Sequence, residues 1–124
     1  ALGADGVLVG TAFLRSRQSA ATEAHRRAIA AAGADDTVLT RAMSGRLARG
    51  LPNRAIRVIE AAGAIAPFPA QNWLTGRFRV EAARREAGEL LSLWAGQAAG
   101  LARRDAAAEV FAELLAGLGR RAPA

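Results

Sequence analysis

Residues 3–13 read Gly3-Ala4-Asp5-Gly6-Val7-Leu8-Val9-Gly10-Thr11-Ala12-Phe13, and this stretch says more about the fold than any other part of the chain. At its centre, Val7-Leu8-Val9 is a short apolar run between glycines, which is typical of a parallel strand buried on both faces. Such a strand needs neighbouring strands and helices that cover them. The stretch therefore predicts an α/β fold in which this strand has several partners.

The rest of the chain has mostly helical patterns. Ser19 or Thr22 can cap the first of these helices and Gly33 can end it, while Gly63 suits the end of the next. The expected elements are helices over residues 19–32, 54–62 and 70–87 (which Gly76 can break), a weak strand over 37–40, a loop over 43–53, an irregular proline-containing segment over 64–69 and a final helix.

Two strands against four or five helices make an unusual set for a free-standing α/β domain, because a doubly buried strand has too few partners here. We therefore expect the chain to be the C-terminal part of a larger α/β protein, mostly α within these residues, whose sheet lies mostly upstream. A start without an initiator Met agrees with that expectation.

The final helix has the clearest pattern. Asp105 falls in its first turns, where the helix dipole favours an acidic residue. Its apolar residues recur at three- and four-residue steps, which predicts one stripe facing the core. The members of this stripe are Leu101, Ala108, Phe111, Leu114, Leu115 and Leu118.

Composition excludes several classes of function. The chain has 124 residues, of which 52% are apolar, and it has no cysteine, so disulfides, thiolate zinc sites and a cysteine nucleophile are ruled out. A single histidine, His25, limits metal and acid–base chemistry. No apolar stretch is long enough to span a membrane, and no basic signal-peptide start is present. We expect a cytoplasmic protein without a membrane partner.

The basic residues are all arginines, and they give a net charge of +6. Several come in pairs within helical patterns, with acidic residues nearby, which indicates solvated helix faces; the alternative is a footprint for a phosphate backbone. Nucleic-acid recognition usually adds a docking motif or stacking aromatics, and neither is visible, so we expect no nucleic-acid partner. The pairs are Arg26-Arg27, Arg84-Arg85, Arg103-Arg104 and Arg120-Arg121.

Two local features suggest chemistry. In a β/α barrel the last strands commonly supply a phosphate pocket from backbone N–H groups, and Gly10 with Thr11 follows the predicted strand directly. A tight turn without a ligand explains the same residues. The adjacent carboxyl groups of Asp35 and Asp36 suit general acid–base chemistry, but their Gly-Ala-Asp-Asp context favours a polar turn.

Five motifs, in order along almost the whole chain, resemble the nitronate monooxygenase (2-nitropropane dioxygenase) family. Co-linear motifs are far more specific than any single one. They are Gly3–Phe13; Asp36-Thr37-Val38-Leu39-Thr40-Arg41; the arginine-rich loop from Gly45 to Arg54; Pro67 and Pro69 with Gln71-Asn72 and Leu74-Thr75; and Ser92-Leu93-Trp94-Ala95-Gly96-Gln97 with Gly100-Leu101-Ala102-Arg103.

The resemblance implies an FMN-binding TIM-type (β/α) barrel with a smaller helical domain. It implies oxidation of alkyl nitronates with O₂ to carbonyl compounds and nitrite. It also implies that Leu8, Val9, Gly10 and Thr11 meet the FMN phosphate, although Leu8 offers only its backbone where relatives often carry Gln. The chain then divides into the last strand, phosphate turn and following helix (1–33), a loop-rich segment with a short strand and helix (34–75), and C-terminal helices (76–124).

Two further groups of residues are candidates for the flavin or substrate cavity. Trp94 and Gln97 offer an indole wall and an amide donor for a flat, polar-edged ring, or they form a helix start packed on the barrel mouth. The loop arginines at positions 46, 49 and 54 suit an anionic nitronate, although such residues are more often solvated or bonded to backbone carbonyls.

The family's catalytic histidine lies in a His-Arg-Gly-type segment that this chain lacks. His25 matches a place where relatives carry a surface histidine, so the resemblance assigns no catalytic residue here. The alternatives are related FMN-dependent enzymes on the same scaffold, an enoyl-acyl-carrier-protein reductase or an NAD(P)H:quinone reductase, and, less favoured, an arginine-rich helical module without catalytic activity.

Overall fold

A computed structural model describes residues 6–118, with only the backbone described at Leu118. Within that range the chain is mostly helical, with one small antiparallel sheet. None of the described helices is long and apolar enough to cross a membrane. The elements are α1 (Thr11–Arg15), α2 (Glu23–Ala31), β1 (Val38–Thr40), β2 (Ala48–Gly50), α3 (Arg54–Ala62), α4 (Ala70–Arg84) and α5 (Ala107–Leu118), with single 3₁₀ turns at Gly88–Leu90 and Ala99–Leu101.

The sheet consists of β1 and β2, paired so that Val38 lies opposite Gly50 and Thr40 opposite Ala48. The weak strand expected over residues 37–40 is confirmed as β1. Its partner β2 lies inside the segment expected to be a loop, so that expectation was wrong. The sequence Ala-Arg-Gly has no strand propensity of its own, and β2 forms because β1 on one side and Trp94 on the other supply backbone partners.

The strand predicted at Val7-Leu8-Val9 does not form. Residues 6–10 have no regular secondary structure; Val7 is 74% exposed and Leu8 fully exposed. A strand is defined by its ladder partners, and among the described residues no strand lies beside this one. The apolar run is therefore an exposed apolar segment here, while residues 3–5 of the motif lie outside the described range.

Some helix boundaries follow the capping signals. Thr22 caps α2, with its side-chain oxygen accepting from the backbone N–H of His25. The chain leaves α2 at Ala32 in an extended conformation, so Gly33 is not the C-cap that we expected. Helix α3 matches its prediction, and Gly63 ends it with φ of 68°, a left-handed conformation that glycine adopts without strain.

Helix α4 runs without a break through Gly76, which corrects the expected interruption there. The proposed boundary between residues 75 and 76 thus falls inside one helix, although the three-segment division itself stays a prediction. Residues 91–98 are not helical; residues 93–95 lie extended beside β2 and are held there by backbone hydrogen bonds.

The apolar stripe predicted on the last helix is only partly buried. Helix α5 begins at Ala107, so Asp105 precedes it and Leu101 lies in a separate 3₁₀ turn. The buried residue is Val110, flanked by half-buried Leu114, whereas Phe111 and Leu115 are more than half exposed. Ala108 is also exposed, and the side chain of Leu118 lies outside the described part.

The core consists of two clusters with many small side chains. The larger cluster is built largely from alanines, which let backbones approach closely, and the smaller cluster packs against Ile59, Phe78 and Trp94. The larger one comprises Ala24, Ile29, Leu51, Ala82, Leu91, Leu93, Ala95, Ala99 and Ala102; the smaller comprises Ala42, Met43, Ala55 and Ile56.

Buried polar side chains connect the loops to the helices. Asn53 is 1% exposed and caps α3 through its side-chain oxygen, while its amide donates to the carbonyls of Gly88 (2.9 Å) and Leu91 (2.7 Å). Gln71 donates to the Ala42 carbonyl at 2.6 Å. The buried amide groups of these two residues are all hydrogen-bonded. The hydrogen bonds offset the desolvation cost of burying them.

Gly50→Ala should destabilise the fold. A Cβ at this position would lie 2.7 Å from the Leu93 carbonyl oxygen and 3.1 Å from Cε3 of Trp94, so β2 and residues 93–94 would have to separate. Overpacking of this kind costs about 1–3 kcal/mol in the free energy of unfolding, measured by urea titration.

Gly76→Ala is the matched control. Its Cβ would find Arg79 no closer than 3.9 Å, and alanine in a helix interior is favoured over glycine by about 1 kcal/mol, so stability should rise. Equal stability of Gly50→Ala and the unaltered protein would contradict the close packing of β2 on residue 93.

Candidate functional site

The segment Leu93–Gly96 lies along the outer side of β2. The backbone N–H of Leu51 donates to the Leu93 carbonyl at 2.8 Å, and the N–H of Ala95 donates to the Arg49 carbonyl at 3.2 Å. These two bonds flank the bridge between Gly50 and Trp94, and they extend the small sheet by one short extended stretch. The backbone of the segment Leu93–Gly96 is therefore fixed to β2.

The same segment is held from the opposite side by α2. His25 is buried, which corrects the expectation of a surface histidine, and its Nε2 lies 2.9 Å from the Trp94 carbonyl oxygen. A carbonyl oxygen only accepts hydrogen bonds, so Nε2 carries the hydrogen and donates it. Burial lowers the pKa of His25 below its ordinary value, which the hydrogen bond to Trp94 opposes only in part.

The Gly10–Thr11 turn contacts the far end of this segment. The backbone N–H of Gly96 donates to Oγ1 of Thr11 at 2.8 Å, across 85 positions of sequence. Two of the five motifs, far apart along the chain, thus meet at one hydrogen bond. The sequence analysis predicted that both motifs contribute to the cofactor site, but it did not indicate which atoms are in contact.

The turn itself is open. A Cβ at Gly10 would meet no atom within 4 Å, and no side chain caps the start of α1. Thr11 accepts from Gly96, which leaves its own hydroxyl hydrogen available to an acceptor. Of the other predicted members, Leu8 is fully exposed and Val9 half-buried, and only their backbones lie next to the turn.

Trp94 and Gln97 have different surroundings. The half-buried Trp94 packs against the smaller cluster and β2, so its indole forms part of the protein interior. Gln97 is exposed and lines a surface cavity of about 710 Å³ together with Asp35, Leu101 and Arg103. Gln97 is therefore exposed at an open cavity, whereas Trp94 is half-buried.

The loop arginines have structural contacts. The guanidinium of Arg46 lies 4.2 Å from the centre of the Phe68 ring, a cation–π geometry. Arg49 donates from Nη1 to both the carbonyl and the hydroxyl oxygen of Thr37. At Arg54 it is the backbone N–H that is engaged, by Glu89 at 2.8 Å. Arg49 in particular links β2 to the start of β1.

The adjacent carboxylates form a turn. Oδ2 of Asp36 accepts from the backbone N–H of Gly33 at 2.6 Å, and Asp35 has φ of 65°. This is the polar turn that the sequence context favoured, in which Asp36 satisfies a backbone donor beyond the end of α2.

The surface arginine pairs lie mostly beside acidic residues. Exposed ion pairs such as these contribute little to stability, but they mask the positive charge that a polyanion would need. Arg120-Arg121 lies outside the described residues, and the carboxylate partners found are Glu23 for Arg26 and Arg27, Glu81 for Arg84 and Arg85, and Glu113 for Arg104.

Arg79 was missed by the sequence reasoning. It donates to the side-chain oxygens of Asn72 (2.7 Å) and Ser92 (3.0 Å), so it joins two further motifs. Burial lowers its pKa, and its Nε atom is buried without a partner in the described part of the chain. No spacing rule pointed to this residue, because its partners lie on two separate segments.

Comparison with known proteins matches these motifs to one family. The nitronate monooxygenase family model matches residues 1–117. Probable nitronate monooxygenases of Staphylococcus aureus strains Newman and USA300 are each 43% identical over 115 residues, covering 92% of this chain and 32% of their own length. A structure described as nitroalkane oxidase from Streptomyces ansochromogenes is 38% identical with a TM-score of 0.79, covering 93% of this chain and 33% of that one.

The buried histidine predicts how stability depends on pH. Because the pKa of His25 is lower in the folded than in the unfolded protein, the unfolded protein takes up a proton first as the pH falls below about 6.5. We expect the free energy of unfolding, measured in urea between pH 8 and pH 5, to be level above pH 7 and to decrease below pH 6.5.

His25→Gln is the control, because it keeps an N–H donor that does not titrate and should remove this decrease. Glu86 does not interfere: the N–H groups of Ala24 and Glu23 lower the pKa of its carboxyl, so it titrates below the window. An identical pH profile for both proteins would contradict the assignment to His25.

Proposed function

Because the chain belongs to the nitronate monooxygenase family, we propose that it forms the C-terminal part of an FMN-dependent enzyme that oxidises alkyl nitronates with O₂ to carbonyl compounds and nitrite. The chain spans about a third of the length of the curated relatives it matches, so the activity belongs to the whole protein. The observation that carries the proposal is the hydrogen bond between Thr11 and Gly96, which joins the predicted phosphate turn to the Trp94–Gln97 segment.

The residues of the turn fit a phosphate group. The space where a Cβ of Gly10 would lie is open, so an anion can approach the backbone there. The Gly10 and Thr11 N–H groups and the Thr11 hydroxyl hydrogen are donors suited to phosphate oxygens. Leu8 and Val9 would contribute backbone alone. The Gly96 N–H fixes the orientation of the Thr11 oxygen, which directs its hydrogen away from Gly96.

FMN, when bound, supplies the ring that accepts electrons from the substrate. This chain would supply binding and orientation. Gln97 is exposed and directly follows Gly96, whose N–H bonds to Thr11, and we assign its amide to a polar edge of the flavin or to the nitronate oxygens. Trp94 acts from the interior, where its packing on the smaller cluster supports the segment that carries Gln97.

The first test is a titration of the full-length protein with FMN, followed by quenching of flavin fluorescence. O₂ uptake that depends on an alkyl nitronate and needs no nicotinamide would support the proposed reaction. Reduction of the flavin by NADH or NADPH would instead identify one of the related reductases on the same scaffold. Failure to bind FMN at all would overturn the proposal.

Gly10→Val should abolish FMN retention, because a branched side chain would fill the space through which the phosphate reaches the backbone. We expect at least a hundredfold weaker binding, roughly 2.7 kcal/mol or more, measured as the FMN dissociation constant.

Gly6→Val is the matched control, since Gly6 lies four residues earlier in the same exposed segment and a Cβ there also meets no atom within 4 Å. It should bind FMN as the unaltered protein does. Unchanged FMN affinity in Gly10→Val would show that the phosphate does not bind at this turn.

A further inference from the structure

His25 has no part in the proposed chemistry, yet it is buried and makes a specific contact with the candidate site. Its Nε2 donates to the Trp94 carbonyl at 2.9 Å, and this carbonyl belongs to the segment that carries Gly96 and Gln97. An apolar side chain would fill this space at a lower desolvation cost, so what the imidazole adds here is its N–H donor.

The donor is held in a fixed place. His25 lies in the first turn of α2, where Thr22 accepts from its backbone N–H. The carboxylate of Glu86 accepts from the N–H groups of the two preceding residues, Glu23 and Ala24. The side chains of Thr22 and Glu86 therefore fix the start of α2. Neither residue belongs to the candidate site, and together they hold the helix turn that carries the imidazole.

The contact from His25 is coupled to the phosphate turn through two residues of backbone. His25 holds the carbonyl of Trp94, and Thr11 holds the N–H of Gly96. Between them, the N–H of Ala95 bonds to the Arg49 carbonyl on the opposite side. If the His25 contact were lost, the peptide between Trp94 and Ala95 would be held on one side only, by its N–H bond to Arg49, and Gly96 would be less firmly aligned with Thr11.

We propose that His25 is a positioning residue, which donates from Nε2 to the Trp94 carbonyl and thereby aligns Gly96 with Thr11 and sets the place of Gln97. The expected effect of His25 on FMN binding rests on the proposed function. The alignment of Gly96 with Thr11 does not, because it involves only residues of this chain. Its role is carried by one N–H donor, so a side chain with a donor at similar reach should replace it.

The experiment compares His25→Leu with His25→Gln in the full-length protein. Leucine removes the donor and keeps the bulk, whereas the glutamine amide restores an N–H donor at about the same distance from the helix. Binding of FMN is followed by fluorescence quenching. In the protein without FMN, hydrogen–deuterium exchange of peptides covering residues 92–98 reports directly on the N–H groups of Ala95 and Gly96.

We expect His25→Leu to weaken FMN binding about five- to tenfold, as the loss of one hydrogen bond predicts, and to speed exchange over residues 92–98. His25→Gln should restore both to within about twofold. Circular dichroism at the temperature of measurement confirms that each variant is folded.

Unchanged binding and exchange in His25→Leu would overturn the inference. Equal losses in the leucine and glutamine variants would also overturn it, because they would show that the imidazole acts by shape and not by donation. If the unaltered protein binds no FMN, the proposed function fails, and the exchange measurement alone decides whether His25 aligns the segment.

Discussion

The arrangement of the described chain depends on the backbone of residues 93–96, which makes hydrogen bonds to three other parts of the protein. Strand β2 binds it on one side, and His25 and Thr11 bind it on the other. A non-helical segment in the interior would otherwise bury unpaired peptide groups, at a cost that a small core does not offset. Its ordering therefore determines how α1, α2 and the small sheet sit around one another.

Signals that are local in sequence placed α3 and the start of α2, but not every helix boundary. The cap at Thr22 and the end at Gly63 follow from side-chain and backbone chemistry within one turn, and α3 has the predicted bounds. The run Val7-Leu8-Val9 carries an equally strong local signal, but a strand also requires a neighbour that local chemistry cannot supply. Strand β2 shows the reverse, since it has no propensity and forms because partners are present.

The candidate site divides in the same way. The Gly10–Thr11 turn and Gln97 are both accessible among the described residues, and their assignment to a flavin site stays a prediction. The pattern did not indicate that Trp94 faces the interior, nor that His25 and Arg79 hold the motif segments together. A hydrogen bond from a side chain to a distant backbone carbonyl leaves no pattern in the sequence. Every residue has a backbone carbonyl, so the residue that accepts the bond can be of any type.

The hydrogen bond between Thr11 and Gly96 closes a ring of more than eighty residues whose two ends lie side by side. Everything between them, from α2 to the end of the extended segment, leaves the turn and returns to it. The entropy cost of closing such a ring grows only with the logarithm of its length, so a ring of this size costs little more to close than one half as long.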